Sequence, residues 1–245
     1  MATLDVVEVS VVFGGLTAVD AAGFTVTPGC VTGLIGPNGA GKTTLFNVIT
    51  GLQAPSRGRI QLDNQDITHK RPHKRARLGI ARTFQRLEAF GSLSARENVL
   101  VALEIRRRWE KEHFDADAEA IRLLDKVGIG AVAEKKVEML PTGTARLVEV
   151  ARALATNPQV LLLDEPSSGL DETETDALGE LLHELAADGL AVLLVEHDMP
   201  LVMDTCTFIN VLDFGRIIAR GTPHEIQSDP AVQRAYLGTA KAAAT

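Results

Sequence analysis

The sequence predicts an α/β protein whose mainly parallel sheet is split along the chain by a helical insertion, with a smaller antiparallel β layer near the start. Three observations carry this. The apolar runs VLLLDE (160–165) and LAVLLVEH (190–197) read as strands buried on both faces of a parallel sheet. A glycine-rich turn joins a strand ending near residue 35 to a helix beginning at Lys42. Between about 94 and 156 the pattern is helical, with charged faces and no strand candidate.

Taken along the chain, residues 4–35 cluster Val, Leu, Phe and Thr around Gly14-Gly15 and Pro28-Gly29, which reads as strands and turns. A helix over Lys42–Thr50 stops at Gly51. RGRIQLDNQDI (57–67) is a strand and turn, and LGIARTF (78–84) a further short strand. LPTGTARLVEVARAL (140–154) opens as a small-residue loop and continues as an amphipathic helix. Leu147, Val150 or Ala151 and Leu154 share its apolar face, and Arg146, Glu149 and Arg152 lie off it. A helix over 172–188 takes Asp171 as its cap with Glu174 three residues on, and buries Leu178, Leu181, Leu182 and Leu185 before Gly189 ends it. FINVLDFGRIIARG (208–221) is a hairpin turning near Asp213–Gly215. The expected division is a discontinuous core at 1–92 and 157–237, a helical subdomain at 93–156 and a frayed tail at 238–245.

Composition narrows the function classes. At 245 residues the chain can bury a full core. The net charge of −7 argues against nucleic acid as a partner, and the basic stretches HKRPHKRARLG (69–79) and RRRWEK (106–111) read as solvated faces. Two cysteines, Cys30 and Cys206, each in an apolar context, read as reduced thiols. His69 and His73 are four apart, but Pro72 between them weakens the helix a two-histidine metal site needs. The longest uncharged stretch, 21–41, holds six glycines and two prolines, so it reads as no membrane span. The expectation is a soluble protein that reaches any membrane through partners.

The chemistry starts at GLIGPNGAGKTT (33–44), which fits G-x-x-x-x-G-K-[ST] at Gly36, Gly41, Lys42 and Thr43. In such a P-loop the backbone N–H groups of Gly36, Pro37, Asn38, Gly39, Ala40, Gly41, Thr43 and Thr44 form the phosphate cradle, less the one that proline lacks. Lys42 adds a mobile charge, and the Thr43 hydroxyl can ligate Mg²⁺. A chance match in a chain of this size is on the order of one per cent. The ligand read from it is ATP with Mg²⁺. Asp164 and Glu165 end a buried strand, where Asp164 can hold the water shell of that ion and Glu165 can polarise an attacking water. The segment QRLEAFGSL (85–93) carries Leu87, Phe90 and Leu93 in a loop expected to be exposed, a candidate groove for a partner helix.

The order of these pieces resembles the ATPase subunits of ABC transporters: a P-loop, Gln85 in ARTFQR, a helical insertion, DEPSSGLD (164–171) and VEHD (195–198). The resemblance implies that Gln85 reaches Mg²⁺ and senses a transmembrane partner. It implies that Ser168, Gly169, Leu170 and Asp171 face a second ATPase subunit, that His197 contacts the γ-phosphate, and that Phe13 stacks on adenine. A finer resemblance, on FGGLTAV, LIGPNGAGKTTLFNVITG, GIARTFQ and GTPHEIQSDPAVQRAYLG, is to the LivG-type ATPases of branched-chain amino acid importers and spans nearly the whole chain. It implies permease subunits in the membrane, a solute-binding protein beyond them, and a place on the inner face of the cell membrane. In ABC ATPases a loop close to L-S-G-G-Q binds the γ-phosphate of ATP held by the opposite subunit. Here Leu140 is followed by Pro141, Thr142, Gly143 and Thr144, so the helix start and one glycine remain while the serine and glutamine positions are changed. A regulatory, weakly hydrolysing ATP-binding subunit is therefore a second reading. A GTPase is disfavoured because no N-K-x-D motif occurs, and a DNA- or ribosome-acting ATPase because no long coiled coil, zinc loop or tandem domain is present.

Overall fold

The structure, a computed structural model, describes residues 2–110 and 114–242. Strands β1 (Leu4–Phe13) and β2 (Leu16–Val26) form a hairpin, and β3 (Val31–Ile35) leads into α1 (Lys42–Thr50). Then follow β4 (Arg57–Leu62), β5 (Gln65–Asp66), α2 (Pro72–Arg77) and β6 (Ile80–Arg82). Helices α3 (Ala95–Glu110), α4 (Ala116–Lys126) and α5 (Thr142–Ala155) make the insertion. The chain returns through β7 (Val160–Asp164), α6 (Glu172–Ala187), β8 (Ala191–Val195), α7 (Met199–Thr205), β9 (Phe208–Asp213) and β10 (Arg216–Gly221) to α8 (Pro223–Ser228) and α9 (Pro230–Ala242).

Two sheets result. One is antiparallel in the order β2-β1-β4-β5; the other runs β10-β9-β3-β8-β7-β6 and is parallel except for the β9–β10 hairpin. Every residue of β3, β7 and β8 is buried, which explains their unbroken apolar sequence. The period-two alternation then divides them between two cores. Leu161, Leu163, Val192 and Leu194 face a cluster that takes in α3–α6; Val160, Leu162, Leu193 and Val195 face the one under the antiparallel sheet and α1. No apolar boundary separates the helical insertion from the sheet it packs on.

The predicted elements are present, and the cap of α6 forms as expected: Asp171 accepts from the Glu174 amide while Glu174 accepts from the Asp171 amide. The helix at 140–154 starts earlier than its loop-like beginning suggests, because Pro141 takes the cap position and Thr142–Thr144 form the first turn. In the tail, α9 continues as backbone helix through Ala242, and residues 243–245 of the expected frayed segment lie outside the described residues. Among the described residues no helix is long and apolar enough to cross a membrane.

Candidate functional site

The P-loop runs from the end of β3 to the start of α1, and two of its glycines are dictated by space. A β-carbon on Gly36 would stand 2.0 Å from the Leu212 carbonyl oxygen, and one on Gly41 would stand 2.6 Å from that of Ala18. Gly41 also caps α1 at φ 108, a conformation a side chain would strain. The loop is thereby pressed between β2 and β9, and its amides gather at the N-terminus of α1.

A cavity of about 290 Å³ opens there, lined by Asn38 to Thr44 together with Gln85, Asp164, Glu165 and His197. Gln85 follows the end of β6, Asp164 ends β7 with Glu165 next after it, and His197 follows β8, so three neighbouring parallel strands deliver these groups to one edge of the sheet. Six of the predicted residues (Lys42, Thr43, Gln85, Asp164, Glu165 and His197), far apart in sequence, thus meet at one opening.

Within it, Lys42 donates from Nζ to the carbonyl oxygens of Gly36 at 2.6 Å and Pro37 at 3.0 Å. Burial pushes its pKa below the ordinary lysine value, opposed by the charges of Glu165 and Asp164. The Glu165 carboxylate lies 2.7 Å from His197 Nε2 and 3.3 Å from Gln85 Nε2. Glu165 itself sits at φ 52, a left-handed conformation unusual for a side chain of its size, held by its amide donating to the Val195 carbonyl. Asp164 is only 3% exposed; burial raises its pKa, and the nearby Arg82 guanidinium opposes that shift. Phe13, 47% exposed at the tip of the β1–β2 hairpin, does not line the cavity.

The loops at 141–144 and 168–171 stand apart from this cavity and against each other. A β-carbon on Gly143 would lie 2.5 Å from the Gly169 carbonyl oxygen and 2.7 Å from Leu170 Cδ2, so only glycine allows the approach. Pro141 makes no side-chain cap, so the first turn of α5 offers backbone donors without a hydroxyl at that position.

Several charges that look solvated in the sequence are structural. Arg75, within the basic stretch 69–79, is 1% exposed and donates to the carbonyls of Val48 and Ile49 at the end of α1, and to those of Thr68 and Lys70. On α5, Glu149 is buried rather than set off the apolar face: it accepts from the Glu88 amide. Its neighbours Arg146 and Arg152 donate to the carbonyls of Phe84, Gln85 and Glu88. Spaced at i, i+3 and i+6, these three side chains hold the segment after β6, and with it Gln85. Leu87 and Phe90 are exposed as expected, while Leu93 is half-buried and the Phe90 ring stacks under the Arg152 guanidinium, 4.8 Å from its centroid. Next to this segment a groove of about 400 Å³ opens between the sheet and the insertion, with Leu52, Phe84, Val101 and Ile105 in its walls.

The arrangement suits nucleotide phosphates: amides and a buried ammonium at the P-loop, and a carboxylate with two polar neighbours across from them. Among the lining residues Thr43, Gln85 and Asp164 carry hard oxygens that could hold Mg²⁺. No group of three metal-binding carboxylate, histidine or cysteine side chains occurs among the described residues.

Comparison with known proteins places these features in a family. Residues 19–168 match the model of the ABC transporter family, and 216–242 that of the branched-chain amino acid ATP-binding cassette transporter family. The chain is 40% identical to the high-affinity branched-chain amino acid transport ATP-binding protein BraF of Pseudomonas aeruginosa, covering 97% of this chain and 98% of that one. It is 39% identical to LivG of Escherichia coli, described in the same words, over 93% and 94%. The lipopolysaccharide export ATP-binding protein LptB of Haemophilus influenzae is 36% identical over 87% and 88%. Among solved structures, the ADP conformation of MJ1267, an ATP-binding cassette of an ABC transporter, superposes with a TM-score of 0.86 at 32% identity, covering 97% of this chain and 99% of that one. The chain belongs to the ABC transporter family, as an ATP-hydrolysing subunit of the branched-chain amino acid transporter type.

Proposed function

We propose that this chain drives uptake of branched-chain or related amino acids by binding and hydrolysing ATP against a second ATPase subunit. The observation that carries the reading is the convergence of Lys42, Thr43, Gln85, Asp164, Glu165 and His197 on one cavity. ATP phosphates would lie on the amides of residues 38–44, with Lys42 swinging from the Gly36 and Pro37 carbonyls to meet the terminal phosphates, and adenine stacking on Phe13. Glu165 is the base that orients and polarises the attacking water, and His197, already hydrogen-bonded to it, stabilises charge on the γ-phosphate. Thr43, Gln85 and Asp164, the last through water, would hold Mg²⁺, which supplies charge neutralisation for the phosphoryl group.

The helical part, 93–156, presents Pro141–Thr144 and the core presents Ser168–Asp171 to the same partner ATPase. With Pro141 and Thr144 in place of a hydroxyl and an amide side chain, this loop offers the partner's ATP roughly two fewer donors, worth about 1–3 kcal/mol each. A heterodimer is the natural pairing: a fast site built on Lys42 and completed by an intact loop, and a slow site completed by this one. The segment 85–93, with Leu87 and Phe90 exposed beside the groove at Phe84, accepts a cytoplasmic helix of the permease subunits, beyond which a solute-binding protein delivers the solute; nucleic acid has no part. The chain then works on the cytoplasmic side, held peripherally at the inner membrane face.

The second reading, an ATP-binding assembly subunit with weak hydrolysis, is favoured by the altered loop at Pro141 alone. Turnover of the complex assembled with its permease and partner ATPase separates the two. Lys42→Ala removes most turnover if this chain carries the fast site; retention of most activity reverses the assignment. With solute uptake and ATP binding measured alongside turnover, a charged substitution at Phe90 uncouples hydrolysis from transport while ATP affinity stays constant.

A further inference from the structure

One buried cation stands behind the nucleotide cavity without lining it. Arg82, at the end of β6, has a side chain 6% exposed and forms an ion pair with Asp164, itself 4% exposed. All its nitrogens are engaged. Nε donates to the Thr83 carbonyl at 3.1 Å, Nη1 to Asn47 Oδ1 at 2.7 Å, and Nη2 to Asp164 Oδ2 at 2.9 Å. Its guanidinium carbon lies over two rings, 5.1 Å from the Phe46 centroid and 4.9 Å from that of Phe84. The side chain is thus fixed in orientation as well as position.

Its partners come from the elements that build the cavity. Asn47 lies on α1, one turn and a half past Lys42; Thr83 leads to Gln85; Asp164 immediately precedes Glu165. Asp164 is held from a second side, since its amide donates to Thr83 Oγ1. Its Oδ1 has no hydrogen-bond partner among the described residues, although the side chain lines the cavity.

We propose that Arg82 is the positioning residue for Asp164: it takes one carboxylate oxygen and so commits the other to the cavity, where the Mg²⁺ water shell would sit. The inference rests on the Mg²⁺ reading above and adds a residue to it. A rotation of the carboxylate would have to break the ion pair and drag a guanidinium clamped by Asn47, Thr83 and two rings. Lysine cannot reproduce this, because a point charge neither stacks flat on rings nor bonds three partners in a fixed fork.

The test is binding, not turnover. A fluorescent ATP analogue is titrated onto the purified full chain in EDTA and then at increasing Mg²⁺, for wild type, Arg82→Lys, Arg82→Met, Asn47→Ala and Asp164→Asn. Partners that orient a ligating group typically change metal affinity about 10–100-fold. The Mg²⁺ needed for half-maximal enhancement is expected to rise about tenfold or more in Arg82→Met, less in Arg82→Lys and least in Asn47→Ala, with affinity in EDTA unchanged. Asn47→Ala keeps the ion pair, so it remains informative if the methionine variant does not fold. Unaltered Mg²⁺ dependence in the Arg82 variants, with Asp164→Asn affected, overturns the role of Arg82 and leaves the Mg²⁺ reading standing. Unaltered dependence in Asp164→Asn overturns both. A parallel loss of affinity in EDTA also refutes the proposal, since it marks a general collapse of the P-loop rather than a misdirected carboxylate.

Discussion

Gly143→Ala probes the contact between the two loops read as facing the partner ATPase. The added methyl would start 2.5 Å from the Gly169 carbonyl oxygen and 2.7 Å from Leu170 Cδ2, where real contacts do not fall below 3.0 Å. Leu170 can turn its methyl aside; a backbone oxygen cannot, so the loops must separate by about 0.5 Å. Overpacking of this kind costs about 1–3 kcal/mol, offset by about 0.5–1 kcal/mol from replacing glycine by alanine in the first turn of α5. The net loss of stability is therefore about 0–2.5 kcal/mol, a fall in Tm of no more than about 10 °C for a domain of this size. Function should suffer more, because sub-ångström misplacement of positioned groups costs up to about 100-fold in rate. In the assembled transporter, ATPase turnover is expected to drop about tenfold or more. Affinity of the isolated chain for a fluorescent ATP analogue should hold, since no residue of either loop lines the cavity. Undiminished turnover refutes the assignment of these loops to the interface. Weakened nucleotide binding in the isolated chain refutes the separation of loops and cavity.

Three further outcomes follow from single residues. Glu165→Gln keeps ATP binding, lowers hydrolysis about 10²–10⁴-fold and traps an ATP-bound dimer; wild-type turnover in the assembled complex would show that another group handles the water. Arg75→Met removes the donor from four carbonyl oxygens, at Val48, Ile49, Thr68 and Lys70, of which Val48 keeps the Gly51 amide and Lys70 is half-buried; it should cost about 2–3 kcal/mol in denaturant unfolding, and a loss under about 1 kcal/mol means water or a neighbouring side chain replaces the guanidinium. Burial holds the Glu149 carboxyl above its ordinary 4.5, outweighing the Glu88 amide and the charges of Arg146 and Arg152. The folded chain then keeps a proton the unfolded chain has lost. This part of the stability is full below pH 4.5 and is lost as pH rises through the folded value. Measured against Glu149→Gln, wild type should lose relative stability over that range, and a pH-independent difference would contradict the burial argument.

Much of the molecule was legible because its signals are local. The P-loop is a spacing of glycines, lysine and threonine; the core strands are short apolar runs; the α6 cap is a pair of residues three apart. Each follows from what a few consecutive residues can do, which sufficed to set Lys42 at a helix start and Asp164 and Glu165 at a strand end, whereas Gln85 and His197 stood out only through the family resemblance. What tertiary structure alone decided is the fate of the remaining charges and glycines. Arg75, Arg82 and Glu149 have the sequence surroundings of solvated side chains, and their partners lie 26 and 27, 82 and 61 residues away. A buried charge is tolerable only where partners from other elements arrive to satisfy it, and that arrival is settled by packing, not by spacing. The close approach of Gly143 to Gly169 is of the same kind: each glycine reads as loop chemistry by itself, and only the seating of α5 beside the turn before α6 makes a single methyl too large.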